Sequence, residues 1–145
     1  MTKQDWVLLA VAYTRPGTPA PQGLDQLRLT KTLFLVQQRF PQLQGLGFRF
    51  HPYLYGPFTT EVYEATEALG REGFLSWEPG SRVRRFVATP QGVEQATQVA
   101  ATADAAALAY LVEERSWALK SSFPEIVRRI YAEFPAYKEY SVFRE

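Results

Sequence analysis

Phe48-Arg49-Phe50-His51-Pro52-Tyr53-Leu54-Tyr55-Gly56-Pro57-Phe58-Thr59-Thr60-Glu61-Val62-Tyr63 crowds aromatics, two prolines and a glycine just ahead of a helix start. Phe48 and Phe50 alternate with Arg49 as in a short half-buried strand, and Pro52, which has no amide proton, is expected to end any ladder there. Gly56-Pro57 marks a turn. Thr59 or Thr60 can accept from the first free helical amides, and Glu61 sits where the helix dipole favours an anion. The stretch reads as a rigid corner that sets the angle between two helices, which a helix-turn-helix requires.

Upstream of the corner, Thr2 is expected to cap a helix over residues 3–13, with Trp6, Leu9, Ala10 and Tyr13 on one face. A proline and glycine loop over 15–23 separates it from a second helix over 24–40, which carries Leu27, Thr30, Lys31, Phe34 and Gln38 along one stripe and ends at Pro41. Downstream, the spacing predicts a third helix over 60–69 with Val62, Tyr63, Thr66 and Leu69 inward, Glu61, Glu64 and Glu67 outward, and Gly70 or Gly73 closing it. Residues 74–78 and 83–88 flank Pro79-Gly80-Ser81-Arg82 as a β-hairpin. Thr89-Pro90 starts a fourth helix, a break falls near Thr102-Ala103-Asp104, and Leu108, Leu111, Val112 and Arg115 mark a fifth. Ser122-Phe123-Pro124-Glu125 is a capping box that opens the last helix.

This order predicts an α+β, mostly helical fold, a winged helix-turn-helix-like single domain over 1–145. Residues 1–88 form the winged-helix-like part, with the β-hairpin as its wing, and residues 89–145 form a helical extension that covers it or mediates a homodimer. With 145 residues and 46% hydrophobic content the chain can bury a core without staples. The absence of cysteine excludes disulfides, iron–sulfur clusters and thiol catalysis. No signal-peptide core and no run of about 20 apolar residues occurs, so a soluble, cytoplasmic protein with no membrane partner is expected.

Net charge is only +1, yet its distribution is uneven: residues 1–60 hold six basic against two acidic residues, and residues 61–81 hold five acidic against one basic. The tight cluster Arg82, Arg84 and Arg85 follows. A hairpin bearing these guanidinium groups can reach phosphates, so Arg82, Arg84 and Arg85, aided by Arg28 and Lys31 on the second helix, are the candidate DNA-binding residues. Protection of an exposed strand edge is the plainer role for the three. Glu61, Glu64 and Glu67 would oppose a duplex on the third helix, which leaves an alternative: a partner protein held by Tyr53, Tyr55, Phe58, Glu61 and Glu64. Core packing is the competing role for those aromatics.

His51, the single imidazole, has no acidic or metal-ligating neighbour at a useful spacing. Phosphate-cradling glycine loops and hydrolase elbows are also missing from the sequence. No catalytic residue, metal or cofactor is therefore expected, and the function predicted is binding.

Leu27-Arg28-Leu29-Thr30-Lys31-Thr32-Leu33-Phe34-Leu35, the corner Tyr53 to Tyr63, Gly73-Phe74-Leu75 and Thr89-Pro90-Gln91-Gly92 together resemble the YwgA-like group of small prokaryotic proteins. They are more loosely similar to the Panacea domain of SocA-like antitoxins. The resemblance spans roughly residues 24–95, with a weaker echo in Ile130 to Tyr137, and Thr59 stands where that pattern has serine. It implies a non-enzymatic prokaryotic regulator, or an antitoxin or adaptor that binds a protein such as a toxin.

Overall fold

Thr2 and Asp5 close a reciprocal capping box at the start of helix α1 (Lys3–Ala12), in the computed structural model, which describes residues 1–19, 21–79 and 82–143. From Trp6 to Ala12 every side chain of α1 is buried, so the helix is enclosed on all sides and does not present the single face that its periodicity suggested. Fully burying each leucine or valine there contributes about 1.5–3 kcal/mol. Arg115, itself buried, donates to the carbonyls of Leu9 and Ala10 at 3.4 and 3.2 Å and so meets the negative end of the α1 dipole.

The expected start of the second helix is replaced by a two-residue strand, β1 (Leu24–Asp25), and helix α2 runs over Gln26–Arg39. The Asp25 side chain caps α2 by accepting from the Arg28 amide. Helix α3 (Thr60–Arg71) is capped by Thr59 and closed by Gly73, with Phe74 N bonded to Leu69 O and Gly73 N to Gly70 O. Strands β4 (Leu75–Trp77) and β5 (Arg85–Ala88) pair antiparallel, Leu75 opposite Ala88. The predicted hairpin is therefore present, although its turn residues Gly80 and Ser81 lie outside the described residues. β1 adds to the other side of β5, Leu24 opposite Phe86, giving the order β1-β5-β4. β5 is thus a central strand, and the arginine at its start does not protect an edge.

The aromatic corner differs from its expected form. Phe48 and Phe50 lie in no strand; the ladder is β2 (His51–Tyr53) against β3 (Gly56–Phe58). Pro52 does not stop this ladder because it faces Pro57, and two prolines opposite one another occupy a pair that exchanges no backbone bonds. The turn falls at Leu54 and Tyr55, not at Gly56-Pro57, and Gly56 enters the return strand with φ 104°, which a side chain would strain.

Helix α4 (Pro90–Ala100) starts on the Thr89 cap. A Cβ on Gly92 would lie 2.0 Å from the Phe74 carbonyl oxygen, so glycine is what lets α4 seat against the hairpin. Asp104 caps α5 (Ala105–Lys120), and the Ser122–Glu125 box caps α6 (Phe123–Glu133), which runs into a 3₁₀ turn over Pro135–Lys138. α5 packs chiefly against α2, and its Ala107, Leu108 and Leu111 share one core with α1 and with Leu29, Leu33 and Val36 of α2. A second cluster joins Phe34 and Leu35 to Ala118, Ile126 and Ile130. Residues beyond 89 therefore enter the interior and do not only cover it. The fold is α+β with six helices and small antiparallel sheets among the described residues, none of whose helices is long and apolar enough to cross a membrane.

Candidate functional site

Two of the five candidate DNA contacts already serve acceptors within the fold, Arg28 half-buried and Lys31 buried. Arg28 donates to Asp25 Oδ1 at 3.0 Å, to the Ala118 carbonyl at 2.9 Å and to the Ser121 carbonyl at 2.7 Å, so it ties the start of α2 to the end of α5. Lys31 is buried, and its Nζ donates to the Pro57 carbonyl at 2.9 Å. Burial pulls its pKa from 10.5 to about 8.

The other three stay exposed but diverge. Arg84 stacks on the Trp77 ring at 4.4 Å. Arg85, one residue on, points to the opposite side of the sheet toward Gly23 and Glu78, with Glu78 3.7 Å away. Arg82 lies before the strand, exposed.

Of the residues proposed for a partner, Glu61 is not a free acid on an outer face. Lys3 pairs with it, the Arg49 amide donates to it at 2.6 Å, and Thr59 adds a hydroxyl. Burial opposes its charge, but these donors outweigh burial and hold its carboxyl below the ordinary value. Glu64 is exposed on α3. Phe58 is half-buried among the rings of His51, Tyr53 and Tyr63, at 5.5, 5.1 and 5.8 Å. Tyr53 and Tyr55 are exposed, Tyr55 leaning on Phe123 of α6 at 5.1 Å. His51 is exposed and only stacks on its neighbours.

Tyr63, expected in the core, is instead 45% exposed, and its position reveals a feature the sequence reading missed. A groove of about 790 Å³ runs between α3, the start of α2 and the β4–β5 hairpin, lined by Tyr63, Thr66, Glu67, Arg71, Trp77, Val83 and Arg84. It adjoins a cleft of about 250 Å³ beside the β2–β3 hairpin, lined by Thr30, Lys31, Tyr53, Leu54, Tyr55 and Phe58. Gln26, Leu27 and Tyr63 belong to both, so the two are continuous. Of the eight large apolar side chains exposed among the described residues, six, Tyr53, Leu54, Tyr55, Tyr63, Trp77 and Val83, line this one depression, and Tyr140 and Val142 do not.

Each acid in the groove has a basic neighbour. Asp25 is bonded to Arg28, and Glu67 lies 3.9 Å from Arg71. Among the described residues, Arg84 and Lys31 have no carboxylate partner, and they line the two parts of the groove. No protein-family model matches the chain, and a search of curated proteins returned no match.

Proposed function

We propose that this protein is a cytoplasmic, non-enzymatic binding protein on a winged-helix plan that holds a partner protein in the groove between α3 and the two hairpins. The element order of helix, short strand, helix, helix, hairpin supports the winged-helix part, with the β2–β3 hairpin inserted between its second and third helices, as does the order β1-β5-β4, in which the strand after the first helix pins the wing. The single observation that carries the partner reading is the convergence of six exposed apolar side chains on one groove. Resemblance to YwgA-like proteins and Panacea antitoxin domains points the same way, toward a partner such as a toxin. The test is a photo-crosslinking residue placed at Tyr63, with a second at the exposed Glu94 of α4 as control. A defined adduct from Tyr63 that is lost in a Tyr55→Ala, Trp77→Ala variant is expected; identical adducts from both positions, or none, would contradict the reading.

A second reading keeps DNA as the partner, favoured by Arg82 and Arg84 on a hairpin that has the place of a wing. It predicts a mobility shift that weakens steeply with salt and further in Arg82→Glu, Arg84→Glu. No shift at low salt would remove it.

A further inference from the structure

The hairpin end of the groove holds polar groups that the fold leaves unmatched. Lys31 carries three ammonium protons and places one of them on a protein acceptor, the Pro57 carbonyl. Gln26, on the cleft wall, has both its amide nitrogen and its amide oxygen shielded from solvent without a hydrogen-bond partner. The titratable groups facing Lys31 are tyrosines: Tyr53 and Tyr55 from the hairpin, Tyr63 from α3, and Tyr131 from α6, whose ring and the end of the Lys31 chain both lie against Gly56. No carboxylate lines the cleft. A buried cation without a counter-charge is costly, and an unpaired amide adds to that cost.

We propose that this cleft receives a carboxylate, the side chain of an aspartate or glutamate in an extended segment of the partner protein, with the Lys31 ammonium as its counter-ion. The assignment rests on the partner reading above and supplies the chemistry of the segment bound. Charge complementarity supports it: Asp25 is bonded to Arg28, the exposed Glu67 lies near Arg71, and the two cations without carboxylate partners, Lys31 and Arg84, line the two parts of the groove, so an acidic strand lying along it meets one in each. The aromatic walls give such a segment apolar side chains to pack against. They also exclude water, which strengthens the ion pair.

Two blocked tripeptides test the assignment, acetyl-Tyr-Glu-Leu-amide and its neutral counterpart acetyl-Tyr-Gln-Leu-amide, observed through the ¹³Cε resonance of Lys31 in the whole protein. The glutamate peptide should bind at least about tenfold more tightly, which corresponds to raising the Lys31 pKa by about one unit. Lys31→Met should abolish the discrimination while the protein melts no lower than the wild type, because a methionine of similar volume removes the unmatched charge. Equal response to the two peptides, or none at millimolar concentration, would overturn the carboxylate site. If the Tyr63 adduct still forms in that case, the groove keeps its partner and only its acidic chemistry is wrong. A melting temperature several degrees lower in Lys31→Met would show that the amine serves the Pro57 hairpin and would equally overturn the proposal.

Discussion

Arg28 and Lys31 stand three residues apart on α2, and the fold treats them in opposite ways. Toward α5, Arg28 spends its guanidinium on one carboxylate and two carbonyls at the end of that helix. Toward the β2–β3 hairpin, Lys31 is more deeply buried and finds a single carbonyl. The planar fork of arginine suits the first place, where several acceptors converge. The second place holds a point charge with donors to spare. A polar group saturated by its own chain holds the fold together; one left under-bonded beside a groove is the group that the proposed carboxylate would satisfy.

The comparison can be broken most forcefully at Arg28. Arg28→Met leaves Asp25 buried without its ion-pair partner and the Ser121 carbonyl without the guanidinium, so a loss of about 3 kcal/mol is expected in denaturant unfolding. A change near zero would mean that the side chain is not the staple described.

Lys31→Met should move stability the other way. Folding lowers the pKa of this amine from 10.5 to about 8, so below pH 8 the folded protein carries a cost of about 3 kcal/mol for the buried charge. Above pH 8 the unfolded chain binds more protons, and wild-type stability should rise toward pH 10.5 relative to the variant. At neutral pH the variant should be as stable as the wild type or more so, a comparison best made by denaturation across pH 7–10.

Glu61→Gln is the smallest of the three. It weakens the tie from α1 to α3 and to the Arg49 amide, at about 0.5–1 kcal/mol for a partly solvated pair. The Glu61 carboxyl is held below its ordinary value by Lys3 and its other donors. Its contribution is therefore present at neutral pH and lost as pH falls through the folded pKa. The variant should show a flatter acid limb when denaturation is repeated from pH 7 down to pH 2.

Features that depend on nearby residues were legible in the sequence. Thr2, Thr59, Thr89 and Ser122 all cap the helices they precede, and the break before Asp104 falls where its residues suggest. What depends on distant partners was not legible. β1 is two residues long and exists only because Phe86 and Arg85 come back beside it from sixty residues away. Pro52 was misread because the rule that proline ends a ladder does not apply opposite a second proline. α1 was given one buried face, although the unbroken apolar run Trp6-Val7-Leu8-Leu9-Ala10-Val11-Ala12 already signalled a helix enclosed all round. For the site, the stripe that carries Thr30 and Phe34 inward carries Lys31 with them, which was the available signal that this lysine is interior. Nothing comparable exposed Tyr63, because the turn of α3 against the core is set by Val62, Ala65 and Leu69 together with the helices they meet.

The most direct measurement is the pKa of Lys31 in the free protein, read from its ¹³Cε shift across pH 6–12. A value near 8 is predicted for an amine enclosed by aromatic walls with no counter-charge. A value at or above 10.5 would place the amine in water or beside a carboxylate of its own chain, and would contradict the claim that this end of the groove waits for an acid from outside.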